Sequence, residues 1–236
     1  MSVSTVLNRR RFLYGSTLAL GATVSACVAP IQAPLPVETP VQNPQEALER
    51  LLAGNQRYAA NRTLPVNESS QRRSEVAQGQ HPFATIFSCV DSRVPPELVF
   101  DRGLGDLFVI RTAGHVIDEA VLGSLEFGVR ELQIPLLMVL GHEKCGAVKA
   151  TLEAVEEGAE APASIGYLVN GIKPALELAA EQPGDALDNA VNANVILAVK
   201  RLQETPILAE AVAQGQLPIV GARYNLETGA VEMIEG

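Results

Sequence analysis

Short, unbroken apolar runs recur along this chain, and between them lie longer segments in which apolar residues return every three or four positions. Runs of this kind are typical of strands buried on both faces, whereas the second spacing is typical of amphipathic helices. The runs predict strands at 83–89, 107–112, 136–142, 217–224 and 231–234, and the longer segments predict helices near 119–132 and 185–203. This alternation predicts an α/β fold with a mostly parallel central sheet flanked by helices.

A further helix is predicted ahead of the first strand. Asn43 is a good N-cap, Pro44 fits a first helical turn, and Glu46 follows the cap by three positions, so this segment has the features of a helix start. Leucines at 48, 51 and 52 give the helix an apolar stripe. We therefore expect an N-terminal helical arm that packs against the rest of the domain.

Residues 1–26 predict a twin-arginine-type signal peptide. The segment Asn8-Arg-Arg-Arg-Phe-Leu13 resembles a twin-arginine export signal, and an uncharged apolar stretch follows it up to residue 26. That stretch is too short for a comfortable membrane span. It is followed by Cys27 in a context that resembles a bacterial lipobox, which predicts lipidation of Cys27. An uncleaved anchor and ordinary cleavage at small residues are the alternatives.

Proline punctuates the segment after Cys27, at positions 30, 34, 36, 40 and 44, and no aromatic residue interrupts it. This composition predicts that residues 27–44 are an extended, lipid-anchored tether, and residues 45–236 are long enough to form a single well-buried domain. An exported protein held by a lipid would work in the periplasm or another extracytoplasmic space, with its N-terminus as the only membrane attachment.

The charge of the chain is acidic once the signal segment is set aside. Residues after 26 carry 15 basic and 27 acidic side chains, a net charge of about −12 with neutral histidines. Such a surface disfavours nucleic acid as a partner and is most simply explained by solubility.

The candidate chemistry lies in two short segments, one containing Cys89 and the other containing His142 and Cys145. Thiolate and imidazole are zinc-preferring ligands, and three of them suit a catalytic site that keeps one position open. A disulfide between the two cysteines beside an ordinary histidine is the alternative interpretation. Because Cys89 and His142 both end predicted buried strands, they are expected at the sheet edge where α/β proteins bind ligands, which favours the metal site.

Asp91 and Arg93 complete the first of these segments. Asp91 follows Cys89 by two positions, so its carboxylate is expected close to the metal. Arg93 is placed to grip that carboxylate and hold it away from the metal. The two residues therefore form a candidate catalytic pair.

The chain resembles the β-class carbonic anhydrases over roughly residues 44–236. The resemblance rests on Cys89-Val-Asp-Ser-Arg-Val-Pro-Pro-Glu-Leu-Val-Phe-Asp101, on Gly103 to Gly114, on Gly123-Ser-Leu-Glu-Phe127, on Gly141-His-Glu-Lys-Cys-Gly-Ala-Val148 and on Gly221 to Gly229. It implies that Cys89, His142 and Cys145 bind one Zn²⁺ per chain. It further implies reversible hydration of CO2 to bicarbonate and a proton, by a hydroxide that zinc generates at neutral pH.

The resemblance also assigns a mechanism to the acidic residue beside the metal. Asp91 either pairs with Arg93, which leaves water on the zinc, or swings in as a fourth ligand in a closed state. Two thiolate ligands donate charge to the metal and predict an enzyme that works better at mildly alkaline pH. In the open state Asp91 accepts the hydrogen of the hydroxide and orients it toward the substrate.

Three substrate-pocket positions follow from the same resemblance. Gln80 stands nine residues before Cys89, where relatives with an open metal commonly have a glutamine. Phe108 and Phe127 match aromatic residues that line the CO2 pocket, although Phe127 replaces a tyrosine that is more common there. Plain core packing is an equally good interpretation of both phenylalanines.

Relatives build their pockets across a subunit interface, so a homodimer is expected as the minimum unit, with pairing into a tetramer as the next step. Two alternative functions remain open. One is a carbonyl sulfide or carbon disulfide hydrolase of the same fold, which Gln80 disfavours. The other is a catalytically silent lipoprotein that binds bicarbonate or zinc, which the complete set of site residues disfavours.

Overall fold

A five-stranded sheet forms the centre of the computed structural model, which describes residues 39–41 and 43–235. The strand order is β2-β1-β3-β4-β5, in which the first four strands run parallel and β5 is antiparallel to β4. The strands are β1 (Ala84–Cys89), β2 (Leu107–Thr112), β3 (Leu137–His142), β4 (Ile219–Tyr224) and β5 (Val231–Ile234). The predicted α/β fold with a mostly parallel sheet is confirmed.

Eight helices surround this sheet in the described part of the chain. They are α1 (Pro44–Ala59), α2 (Ser70–Val76), α3 (Pro96–Val99), α4 (Glu119–Arg130), α5 (Gly146–Glu157), α6 (Ile165–Ala179), α7 (Ala186–Gln203) and α8 (Pro206–Ala213). A short 3-10 helix, Ala113–His115, follows β2. No helix in the described ranges combines the length and the apolar character that a membrane span needs.

The N-terminal helix begins as the sequence predicts. The Asn43 side chain caps α1 by accepting a hydrogen bond from the Glu46 amide at 3.0 Å. Ala47 and Leu51 are fully buried on this helix and pack into the cluster that covers one face of the sheet. α1 starts one residue before the predicted domain, and the tether, the signal segment and Cys27 lie largely or wholly outside the described residues.

The sheet is covered on both faces. One cluster joins α1 and the residues around α3 to β1, β3 and β4, with Ile86, Met138 and Leu140 fully buried in it. The opposite face packs against α4, α7 and α8, with Phe87, Val139 and Val195 fully buried there. A third cluster joins α5, α6 and α7 and contains both Cys89 and Cys145. The candidate ligands are therefore part of the packed interior at one end of the sheet.

Contact between α1 and the loop after α3 depends on Gly54. A Cβ atom added at Gly54 would overlap the backbone carbonyl oxygen of Phe100. We expect Gly54→Ala to force α1 away from the sheet cluster and to lower the free energy of unfolding by about 1–3 kcal/mol. Urea denaturation followed by circular dichroism measures this.

Gly123→Ala is the matched control, because Gly123 lies inside α4 and a Cβ there meets no atom within 4 Å. Alanine should stabilise that helix by about 0.5–1 kcal/mol. Equal stability of the Gly54→Ala variant and the unmodified protein would show that the close approach of α1 is not required.

Candidate metal centre

Three ligand-grade side chains converge at the carboxyl edge of the sheet. Cys89 is the last residue of β1, His142 is the last residue of β3, and Cys145 is the residue that precedes α5. Because β1 and β3 are parallel neighbours, their final residues meet at the same edge. One ligand atom from each residue lies within 4.8 Å of the others, and all three residues are buried.

The two cysteines are free thiols with their sulfur atoms 4.0 Å apart. The structure therefore agrees with the metal-site interpretation of these cysteines and contains no disulfide between them. The pKa of Cys89 is lowered, chiefly because the Cys145 thiol donates a hydrogen bond to it, and the pKa of Cys145 is raised by the same contact and by burial. Both sulfurs can act as thiolate ligands once a metal ion replaces their protons, because metal binding to cysteine releases protons.

His142 is oriented as a metal ligand. Its Nδ1 lies 2.8 Å from the Glu143 carbonyl oxygen. Because a carbonyl oxygen only accepts hydrogen bonds, Nδ1 carries the proton and Nε2 presents a lone pair. That Nε2 atom is buried and has no hydrogen-bond partner among the described residues. A buried, unpartnered nitrogen beside two thiols fits a zinc ion, which prefers these ligands.

Asp91 and Arg93 form a tight pair at the rim of this group. Arg93 donates from Nε to Oδ1 at 2.9 Å and from a terminal nitrogen to Oδ2 at 2.7 Å, and its backbone amide also donates to Oδ1 at 2.9 Å. These hydrogen bonds lower the pKa of Asp91 to about 2, so the carboxylate is charged at neutral pH. Its Oδ2 lies 3.9 Å from Nε2 of His142, so the pair borders the ligand group.

Arg111 holds the segment between Cys89 and Asp91. It reaches from β2 and donates to the carbonyl oxygens of Cys89 at 2.8 Å and Asp91 at 2.6 Å. The sequence analysis did not identify this residue. The sequence feature that points to Arg111 is its charge, since it is the one charged side chain in the strand Leu107–Thr112.

Glu143 holds the second ligand segment, which contains His142 and Cys145, in place. It accepts hydrogen bonds from Arg223 at 3.2 Å, from the Asn225 side chain at 2.9 Å and from the Leu226 amide at 3.2 Å. These contacts fix the turn between His142 and Cys145 to β4 and the turn after it. The sequence analysis missed this role, because the partners lie about eighty residues further along the chain.

The predicted pocket residues, unlike the three ligands, are not all buried within one chain. Gln80 is exposed in the loop before β1, and the described part of the chain gives it no hydrogen-bond partner. Phe108 is half-buried on β2, beside Gly128 of α4. Phe127 is 48% exposed, so within one chain it is not a core residue. A single chain therefore brings together the ligands and the Asp91–Arg93 pair without enclosing Phe127.

Comparisons with known proteins agree with this geometry. The family model described as carbonic anhydrase matches residues 84–231. The chain is 43% identical over 192 residues to a carbonic anhydrase of Mycolicibacterium smegmatis, covering 80% of this chain and 93% of the relative. It is 42% identical to carbonic anhydrase 2 of Mycobacterium tuberculosis, covering 79% and 90%.

Solved structures give the same result for the fold. The Coccomyxa β-carbonic anhydrase in complex with acetazolamide superposes with a TM-score of 0.65 at 31% identity, covering 79% of this chain and 86% of that one. The β-carbonic anhydrase CcaA superposes with a TM-score of 0.62 at 27% identity, covering 80% and 95%.

Proposed function

The chain belongs to the β-class carbonic anhydrases, and from this premise we propose that Cys89, His142 and Cys145 hold one catalytic zinc ion per chain. The activity is the reversible, zinc-dependent hydration of CO2 to bicarbonate and a proton. The observation that carries the proposal is the buried group of two thiols and one unpartnered imidazole nitrogen, with an ionised Asp91 at its rim.

Zinc at this position would supply hydroxide at neutral pH, since it lowers the pKa of a bound water to about 7. The chain's own residues then decide how that nucleophile is presented. Asp91 is charged, accepts hydrogen bonds, and is held by three hydrogen bonds from Arg93. It can therefore accept a hydroxyl hydrogen and fix the direction of the remaining lone pairs.

Arg93 also restricts where Asp91 can go. Its guanidinium donates to the Lys144 carbonyl oxygen at 3.3 Å as well as to Asp91, so it links the two ligand segments. As long as this pair persists, the carboxylate serves as an acceptor and leaves the fourth metal position to water. Breaking the pair would free Asp91 to act as a fourth ligand, which is the closed state.

We further propose that Gln80, Phe108 and Phe127 line the substrate pocket once a second copy of the chain is bound. Aromatic side chains suit CO2, which is small and uncharged. The exposure of Phe127 and of Val90, 48% and 52% in one chain, supports this arrangement, because association of two chains covers exposed apolar side chains. Strand β2 supports it too, since it lies at an edge of the sheet and all its residues are only half-buried.

The proposed location is extracytoplasmic. It rests on the sequence of residues 1–27, namely the twin-arginine segment, the short apolar stretch and the lipobox-like context of Cys27. In this proposal the mature protein is held to a membrane by its lipid alone, with residues 28–44 as a tether.

The function is tested by stopped-flow CO2 hydration and zinc analysis on the same purified samples. We expect about one zinc per chain and a rate that rises toward mildly alkaline pH. Because the pKa of Asp91 is about 2, this rise cannot come from Asp91. Asp91→Asn should retain zinc and lose turnover by about 10²-fold or more, and Cys89→Ser should lose zinc and turnover together.

Glu227→Gln is the control for removal of a nearby carboxylate, because Glu227 is exposed and pairs only with Lys144 in the described contacts. It should keep the normal rate. Full zinc occupancy without CO2 hydration at any pH, under reducing conditions, would contradict the function and direct the assay to carbonyl sulfide and carbon disulfide. Unchanged turnover in Asp91→Asn would remove Asp91 from the mechanism.

Lipidation is tested by expressing the full chain and the Cys27→Ala variant in a bacterium with twin-arginine export, with radiolabelled fatty acid in the medium. We expect the unmodified chain in the membrane fraction carrying label, and the variant without label. Label on the variant, or a full chain without label, would contradict attachment through Cys27.

The oligomer is tested by light scattering after size-exclusion chromatography. We expect a dimer or tetramer for the unmodified protein and a shift toward monomer for Phe127→Glu, because a charge would be buried in the interface. Tyr167→Glu serves as the control, since Tyr167 is an aromatic residue on α6 that is 56% exposed. A monomeric unmodified protein with full activity would contradict the shared pocket.

A further inference from the structure

One of the candidate zinc ligands receives a hydrogen bond from the backbone. The amide of Gly114 points at Sγ of Cys89 at 3.5 Å, which is within hydrogen-bonding range for sulfur. This contact contributes to the lowered pKa of Cys89, because an N–H donor stabilises the thiolate. The amide therefore acts directly on the charge of a ligand atom.

The backbone that presents this amide is unusual. Gly114 and the next residue, His115, both have left-handed conformations, with φ of 62° and 55°. A left-handed residue other than glycine costs free energy, and it persists where surrounding contacts hold it. A Cβ at Gly114 would also lie 2.5 Å from Cδ1 of Ile172, so no larger residue fits there.

The contacts that hold this backbone come from His115 and from Asn194 on α7. His115 Nε2 lies 2.9 Å from the Leu140 carbonyl oxygen, so Nε2 carries the proton and Nδ1 is an acceptor. The Asn194 side-chain amide lies 3.1 Å from that Nδ1 and donates to the Gly114 carbonyl oxygen at 2.7 Å. Both hydrogens of the Asn194 amide are thus used, and the direction of each bond is fixed.

This network is buried and connects the elements that carry the ligands. His115 is 3% exposed and Asn194 is 7% exposed. Burial lowers the pKa of His115, so the ring is neutral, as its two hydrogen bonds require. Leu140 precedes His142 by two positions on β3, and Gly114 contacts Cys89 at the end of β1. Burying polar groups costs free energy unless they are hydrogen-bonded, and apolar packing at this place would avoid that cost.

We propose that Asn194 and His115 are positioning residues for the metal centre, which hold the Gly114 amide against Cys89 Sγ and so set how that sulfur binds zinc. The inference rests on the proposed zinc site and adds to it two residues that do not themselves reach the metal. Hydrogen bonds around metal ligands orient those ligands and adjust their donor strength. Here one side chain on α7 controls the turn that provides such a bond.

The test uses the full chain with Asn194→Leu, which keeps a side chain of similar size and removes both donors. Zinc affinity is measured by competition with a chromophoric chelator, and the cobalt(II)-substituted protein is examined by absorption spectroscopy. We expect zinc affinity to fall about 10- to 100-fold. The thiolate-to-cobalt charge-transfer band should move to longer wavelength, because a sulfur that loses an N–H donor releases its electrons more readily.

His115→Asn is the second variant, since asparagine tolerates a left-handed conformation but cannot reproduce the ring contacts. It should shift both measurements in the same direction. Leu202→Ala is the control, because Leu202 is fully buried on the same helix, two turns beyond Asn194, and belongs to a different cluster from the two cysteines. That variant should lower thermal stability while leaving the spectrum and the zinc affinity unchanged.

Folded Asn194→Leu and His115→Asn variants with unchanged spectrum and affinity would overturn the inference. Equal changes in Leu202→Ala would also overturn it, since they would reflect general destabilisation. Neither measurement depends on turnover. A protein that binds zinc without hydrating CO2 would therefore fail the functional proposal alone, whereas normal hydration with unchanged spectra would fail this inference alone.

Discussion

The parallel pairing of β1 with β3 is the constraint on which the metal centre depends. In this register Ser88 lies opposite Leu140, so the strands end together and deliver Cys89 and His142 to one edge. Side chains alternate across a strand, and a slip of one residue would therefore exchange the two faces and separate the ligands. Fully buried residues on both faces of these strands, such as Ile86 and Phe87, make that slip costly. Packing of the core thus fixes the geometry of the site.

The same burial removes water as a hydrogen-bond partner, and other residues of the site replace it. Polar groups placed at the end of a packed sheet lose water and need partners. Arg111 donates hydrogen bonds to the carbonyl oxygens of Cys89 and Asp91. Glu143, in the turn between His142 and Cys145, accepts hydrogen bonds from Arg223 and Asn225. Asn194 donates a hydrogen bond in the turn after β2. Nε2 of His142 is left over, and a metal cation is the partner that its lone pair and the neighbouring thiols suit.

The sequence predicted the strands to within about two residues, because strands buried on both faces form apolar runs that periodicity detects. It did not identify α2, which has no buried residue, or α3, which is only four residues long. It also missed α5, α6 and α8, and in α6 Pro174 and two glycines weaken the helical pattern. The ligand candidates could be found because soft metal ligands are rare in this chain. Arg111 and Asn194 were not identified, since their roles depend on partners about 20 and 80 residues away.

The ligand group and the predicted pocket differ in how far a single chain encloses them. Cys89, His142 and Cys145 are all buried within one chain, whereas Gln80 and Phe127 lie at its surface. Apolar side chains and an open sheet edge at β2 are unfavourable in water, and covering them is favourable whether or not catalysis occurs. In the proposed dimer, a second chain that covers this surface would also complete the substrate pocket. Association and substrate access are therefore expected to be coupled, because the same apolar surface serves both.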